Sequence, residues 1–183
     1  MRGLSFPAKV VITTNSGILV LMVLALRDLA VPAFASYPLL KTLHIFGAIS
    51  MIGNVLVGPA WILLAMRTKN QETKKFAFQA LGMMDVFFTA PGAAMLAVTG
   101  LAMAPTFGGV NAQAWLHQPV WLLIGVVLFA TTAVLYTQEK AIQAAVTAAP
   151  DFRLWFVWWS VLGTLVSLPL ILIVWLMVSK QGF

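Results

Sequence analysis

Four of the polar side chains in the apolar segments of this sequence have types that could do chemistry. His44 and His117 are the only histidines, and two neutral imidazoles at a similar depth in a helix bundle can ligate one haem iron axially. Asp85 and Asn54 lie in neighbouring apolar segments. A carboxyl group inside a membrane is costly and needs a partner, but it also suits a proton acceptor or a contact with a cation or substrate.

The composition indicates that lipid is the solvent of this chain. Hydrophobic residues make up 61% and charged residues 9%, and the mean hydropathy is +0.96, whereas a soluble domain carries roughly 25% charged residues. There is no cysteine, which excludes disulfides, thiolate metal sites and cysteine nucleophiles. The net charge of +6 falls in short gaps between apolar runs. We therefore expect the lipid bilayer, and not nucleic acid, as a partner.

Five apolar runs approach or exceed the ~20 residues that a membrane-spanning helix needs. They cover about residues 10–26, 38–66, 76–104, 115–136 and 154–178. The runs are too long and too continuous for the strands of a membrane barrel. The sequence therefore predicts an all-α integral membrane bundle of five transmembrane helices, with polar gaps between them.

The first run has two interpretations. Residues 1–36 could form an N-terminal transmembrane anchor beside a four-helix transmembrane bundle of residues 37–183. The basic start, the short apolar core and the letters AFA before Ser36 also resemble a secretory signal with a small-residue cleavage site. Arg27 and Asp28 lie before that site and favour a retained helix. The later helices have the same orientation in both cases.

Lysines and arginines predict the orientation, because cytoplasmic loops carry more of them. With the N-terminus inside, eight lie on the cytoplasmic side and three on the outer side. The eight are Arg2, Lys9, Arg67, Lys69, Lys74, Lys75, Lys140 and Arg153, and the three are Arg27, Lys41 and Lys180. We expect a multi-pass protein of the bacterial cytoplasmic (inner) membrane, with its N-terminus inside and its C-terminus outside.

Polar and small residues recur at helical spacing on the second and third helices, which predicts faces turned toward other helices. The second helix carries His44, Gly47, Met51, Asn54, Gly58 and Trp61, and the third carries Asp85, Thr89, Gly92, Thr99 and Met103. Asp85 lies nine residues, ~14 Å, beyond Phe76 and so well inside the bilayer. It could pair with Asn54 or Arg67 as a lock between helices, or act in transport. Pro91 should free a carbonyl and bend this helix.

The predicted topology places both histidines in the outer leaflet. His44 is the better candidate for an axial iron ligand. His117, the candidate second ligand, could equally be an interfacial residue beside Trp115 and Trp121. Four other tryptophans also lie toward the ends of runs, as in interfacial aromatic belts, namely Trp155, Trp158, Trp159 and Trp175.

Two segments carry a resemblance to known proteins, LLKTLHIFGAISMIGNVLVGPAW and DVFFTAPGAAMLAVTGLAMA. They resemble a family of uncharacterised bacterial integral membrane proteins, a domain of unknown function. More distantly, they are similar to HemJ-type protoporphyrinogen oxidases and CopD-type copper-resistance membrane proteins. The HemJ-type resemblance implies a four-helix bundle that binds haem b, with His44 at the position of that family's essential histidine. In AWLHQPVWLL, Pro119 stands where that family has an essential lysine, a departure that counts against the oxidase activity.

Three functions are compatible with these observations. The first is binding of haem b through His44 for membrane redox or electron transfer. The second is a non-catalytic accessory or structural subunit, associated with other membrane subunits or with further copies of itself. The third is a small transporter that uses Asp85. The sequence does not decide whether the protein is an enzyme.

Overall fold

The computed structural model describes residues 3–182, and this part of the chain contains helices and no β-strand. Five of its helices are long and apolar enough to cross a membrane. They are α1 (Phe6–Leu26), α2 (Tyr37–Met66), α3 (Gln71–Phe107), α4 (Ala114–Thr147) and α5 (Phe152–Ser179). The prediction of an all-α bundle with five transmembrane helices is confirmed.

All five helices are longer than the apolar runs that predicted them, and α3 and α4 extend furthest into the polar gaps. α3 begins at Gln71 because Asn70 caps it, its Oδ1 accepting hydrogen bonds from the backbone N–H groups of Glu72 at 2.9 Å and Thr73 at 3.3 Å. α4 continues beyond Tyr136 to Thr147. Its extension is helical because a buried alanine face packs on α3 and α5, formed by Ala141, Ala144 and Ala145.

The two ends of the bundle differ in charge. The loops after α2 and after α4 lie at the same end as the start of α1, because these helices run antiparallel to their neighbours. We call this the basic end. The described basic residues toward it are Lys9, Arg67, Lys69, Lys74, Lys75, Lys140 and Arg153, and those toward the opposite end are Arg27, Lys41 and Lys180. Arg2, which was counted for the orientation, lies outside the described residues.

The backbones of α2 and α3 approach each other closely at two glycines. A Cβ atom added to Gly47 would lie 2.8 Å from the carbonyl oxygen of Gly92, and one added to Gly92 would lie 2.8 Å from the backbone nitrogen of Met51. Small residues allow this contact between backbones, as at many helix interfaces in membranes. The crossing fixes the register that places Asn54 opposite Asp85 and His44 opposite Leu96.

α1 packs into the bundle through polar as well as apolar contacts. Ser5 Oγ donates to Glu139 Oε1 at 2.8 Å, and Asn15 Nδ2 donates to Thr131 Oγ1 at 2.7 Å. Ile18 and Met22 are buried, together with apolar residues of α3 and α4. The division of the chain at residue 36 stays a prediction, although α2 begins at the next residue, Tyr37.

Candidate intramembrane carboxylate site

Among the described spanning helices, Asp85 is the acidic residue that lies in the middle of a helix. A π-helical turn in α3 positions it. The turn comprises Asp85–Thr89, and the N–H of Ala90 donates to the carbonyl of Asp85, five residues earlier. Pro91, which has no N–H, follows directly. Ser50 Oγ of α2 donates to the carbonyl of Phe88 at 3.1 Å, so a side chain of the neighbouring helix provides a hydrogen bond to a backbone carbonyl of the turn. Such turns are rare and frequently lie at functional sites.

The carboxyl group of Asp85 accepts hydrogen bonds from side chains on three helices. Asn54 Nδ2 of α2 donates to Oδ1 at 3.2 Å, and Thr89 Oγ1 of α3 donates to the same oxygen at 2.9 Å. Gln138 Nε2 of α4 donates to Oδ2 at 2.6 Å. Asn54 Nδ2 also donates to Thr89 Oγ1 at 2.7 Å. We call these residues, with Trp159, the Asp85 network.

Trp159 extends the network to a fourth helix, α5. Its Nε1 donates to Gln138 Oε1 at 3.2 Å, and the two side chains are only 5% and 7% exposed. The expectation that Trp159 belongs to an interfacial belt is therefore wrong. The indole is held inside because its ring packs edge-on against Phe78, with centroids 6.1 Å apart, while its N–H has a buried acceptor.

No cation pairs with Asp85 among the described residues. Within residues 3–182 the ion pair is Lys75–Glu72, 3.5 Å long, near the start of α3. Arg67, the predicted alternative to Asn54 as a partner, forms no ion pair there. An ionised carboxyl group inside a membrane needs compensation, and among the described residues neutral hydrogen-bond donors supply it.

A half-open groove between α2 and α3 adjoins the network. Its volume is about 630 Å³, and Asn54 forms part of its wall. Most of the remaining wall is apolar, and four aromatic side chains contribute to it, namely Phe46, Trp61, Phe76 and Phe88. We call it the α2–α3 groove. Its volume and lining resemble those of small-molecule sites, which span roughly 300–1,000 Å³.

His44 is oriented by α3. Its Nδ1 lies 2.9 Å from the carbonyl oxygen of Leu96 and 3.3 Å from Thr99 Oγ1. Since a carbonyl only accepts, Nδ1 carries the hydrogen, and the neutral ring keeps its lone pair on Nε2. Gly100 makes room for the ring, because a Cβ atom there would lie 2.8 Å from His44 Cε1. Metal-binding histidines are commonly held in this way, and the same contact ties α2 to α3.

His117 lies toward the same end of the bundle as His44, near the start of α4, but it has a separate set of partners. Its Nδ1 lies 3.0 Å from Asn111 Oδ1, and its Nε2 accepts from Trp121 Nε1 at 3.0 Å. Asn111 Nδ2 in turn donates to Asp28 Oδ1 at 2.8 Å. Both ring nitrogens are thus engaged. His44 keeps a lone pair on Nε2, which an axial ligand to haem iron needs, whereas His117 in this arrangement has none to spare. The described residues contain no cluster of three metal-ligating side chains.

Comparison with protein families shows a match over most of the chain. The model of a family described as a predicted integral membrane protein, DUF2269, matches residues 38–181. The chain belongs to the DUF2269 family. This confirms the predicted membership of an uncharacterised membrane-protein family, whereas the more distant similarity to HemJ-type and CopD-type proteins stays a prediction. No curated protein and no solved structure matches the chain. The family region contains Asn54, Asp85 and His44, while α1 lies outside it.

Two members of the Asp85 network escaped the sequence interpretation. Gln138 lies just beyond the apolar run that ended near Tyr136, in a segment interpreted as a gap. Trp159 was assigned to a membrane interface by its position near the start of α5. The useful signal was the alanine-rich, helix-forming stretch after Tyr136, which indicates that α4 continues and carries Gln138 on a helix.

Proposed function

We propose that this protein is a small membrane transporter in which Asp85 takes up and releases a proton. The observation that carries the proposal is the carboxyl group inside the bundle, which accepts three hydrogen bonds and has no cationic partner among the described residues. A bound proton would supply the missing compensation of charge.

The network supports a link between proton binding and helix position. A carboxylate only accepts hydrogen bonds, whereas a protonated carboxyl group has one O–H that donates. Protonation at Oδ2 would therefore oppose the N–H of Gln138, the Nε2 of which lies 2.6 Å away, and protonation at Oδ1 would oppose the N–H of Asn54. Because these donors come from different helices, binding a proton favours a different arrangement of α2, α3 and α4, as coupled transport requires.

Infrared spectroscopy of the purified protein in lipid tests this proposal directly. The C=O band of a protonated carboxyl group should rise as the pH is lowered and be absent from Asp85→Asn. The matched control is Glu139→Gln, which removes the acid next to Gln138 but should keep the band. Vesicles with an entrapped pH dye should then show proton flux that Asp85→Asn abolishes. A band that is unchanged in folded Asp85→Asn would contradict the proposal and favour an accessory subunit.

Haem b binding for electron transfer is the second candidate. It is supported by the orientation of His44, whose Nδ1–H bonds the carbonyl of Leu96 and leaves the lone pair of Nε2 for an iron. The haem would supply the redox chemistry when bound. Visible spectra of the oxidised and dithionite-reduced protein should show a Soret band that His44→Ala removes and His117→Ala retains. A colourless, folded wild-type protein would exclude this candidate.

We also propose a bacterial inner-membrane location, with the basic end in the cytoplasm. The excess of lysine and arginine at that end supports it. The chain has no cysteine, so single cysteines can be introduced into a clean background. In intact cells a membrane-impermeant maleimide should label Phe34→Cys, in the exposed loop after α1, but not Lys69→Cys, in the loop after α2. The opposite pattern would reverse the orientation.

A further inference from the structure

The α2–α3 groove has the features of a binding site that takes its ligand from the bilayer. Four aromatic rings line it, and no charged side chain does. Polar groups enter its wall at Ser50 and Asn54. A ligand that suits these walls is neutral, lipid-soluble and built around an apolar or aromatic body, because a charge there would find no partner.

The hydrogen bonds of Asn54 define the headgroup of that ligand. Its Nδ2 group is turned toward Asp85 Oδ1 at 3.2 Å and Thr89 Oγ1 at 2.7 Å and donates to both. The other polar atom of the amide, Oδ1, can only accept a hydrogen bond. The hydroxyl group of Ser50 is likewise engaged as a donor, to the carbonyl of Phe88. The ligand should therefore bring a donor of its own.

We propose that the α2–α3 groove binds a neutral, lipid-soluble molecule with a phenolic or alcoholic hydroxyl group, which donates a hydrogen bond to Asn54 Oδ1. That the groove binds such a molecule does not depend on the proposed function. Only the statement that this molecule is the transported substrate, linked to Asp85, rests on it. Asn54 would then contact both the hydroxyl group of the ligand and the carboxyl group of Asp85, which binds the proton.

Two glycines provide matched variants for the test. Gly53 lies in the wall of the groove, and a Cβ atom added there would meet nothing within 4 Å. Gly53→Leu should therefore fill the groove without forcing helices apart. Gly163 in α5 is equally open but lies outside the groove, so Gly163→Leu controls for adding a leucine to a spanning helix.

The experiment uses two bromine-bearing probes in bilayer nanodiscs that differ in one group. One is an alkylphenol brominated on its chain, and the other is the corresponding alkylbenzene without the hydroxyl. Trp61, which lines the groove and is 47% exposed, reports binding through quenching of its fluorescence by bromine. Trp61→Phe identifies the part of the signal that comes from this residue.

We expect saturable quenching of the wild-type protein and of Gly163→Leu, and its loss in Gly53→Leu. The phenol should bind roughly 2- to 10-fold more tightly than the alkylbenzene, the value of one net hydrogen bond, and Asn54→Leu should remove that preference. Quenching that rises linearly, or equally in Gly53→Leu, would overturn the binding site. Equal binding of the two probes by the wild-type protein would overturn the role of the hydroxyl.

This experiment is independent of proton binding. Saturable binding without a titrating Asp85 would leave the site in place and refute the transporter. A titrating Asp85 without saturable binding would refute the substrate class alone.

Discussion

The close contact between Gly47 and Gly92 predicts that replacing glycine by alanine changes the stability of the protein in opposite directions at two positions of α2. In Gly47→Ala, the new Cβ atom would lie 2.8 Å from Gly92 O and 2.9 Å from the backbone nitrogen of Leu96. Ordinary contact begins at 3.4 Å, so the helices must separate by about 0.6 Å. The obstructing atoms belong to the backbone and cannot be moved by a change of side-chain rotamer. Overpacking of this kind costs about 1–3 kcal/mol.

Gly53→Ala is the matched control, because it makes the same chemical change on α2 where the added Cβ meets nothing within 4 Å. Alanine is preferred over glycine inside a helix by about 0.5–1 kcal/mol, and this preference applies to both variants. The difference between their free energies of unfolding therefore isolates the crossing. We expect Gly47→Ala to be about 1–3 kcal/mol less stable than Gly53→Ala.

Unfolding by sodium dodecyl sulfate in mixed micelles, followed by tryptophan fluorescence and circular dichroism, measures both free energies. The comparison is valid where the two probes give coincident transitions. Equal stabilities would show that the backbones do not touch at Gly47, and the register that brings Asn54 to Asp85 would then need another cause.

Three further predictions concern the polar contacts. Asn15→Ala and Thr131→Ala should be non-additive in a double-mutant cycle of unfolding free energies, with a coupling of about 0.6 kcal/mol, typical of hydrogen bonds between membrane helices. Gln138→Leu should destabilise the bundle by about 1–3 kcal/mol in the same assay, because the buried indole of Trp159 and the carboxyl group of Asp85 each lose a hydrogen-bond partner; a neutral effect would contradict the network. Gly100→Ala should push the ring of His44 off Leu96 O, which nitrogen NMR of the imidazole would detect as a change at Nδ1, whereas an unchanged signal would mean that the ring is not wedged there.

The sequence predicted the helices well because a membrane imposes length and composition on them. Each apolar run became a spanning helix, and the stripe of small and polar residues on α2 predicted the face toward α3, where Gly47, Met51 and Gly58 are buried. Trp61 on that stripe is 47% exposed, because the stripe there borders the α2–α3 groove.

The site was predicted only where its residues lie inside apolar runs. Asn54 and Asp85 stand out there because lipid offers polar groups no partner. Gln138 could not be recognised in this way, since a glutamine in a polar stretch carries no such cost. His117 was grouped with His44 by depth alone, whereas its partners depend on the loop that brings Asn111 beside it. Depth along a helix follows from counting residues, but contacts around the axis depend on packing.

The π-helical turn explains why Asp85 is shared between helices. Asp85 and Gly92 are seven positions apart, nearly two turns of a regular α-helix, so both would face α2. The turn takes up one additional residue, which rotates Asp85 by ~100° about the axis relative to Gly92. On α2, Gly47 and Asn54 are also seven apart, without such a turn, and share one face. Asn54 therefore reaches only one oxygen of Asp85, and the second is left for Gln138 of α4, which makes the carboxyl group a junction of three helices.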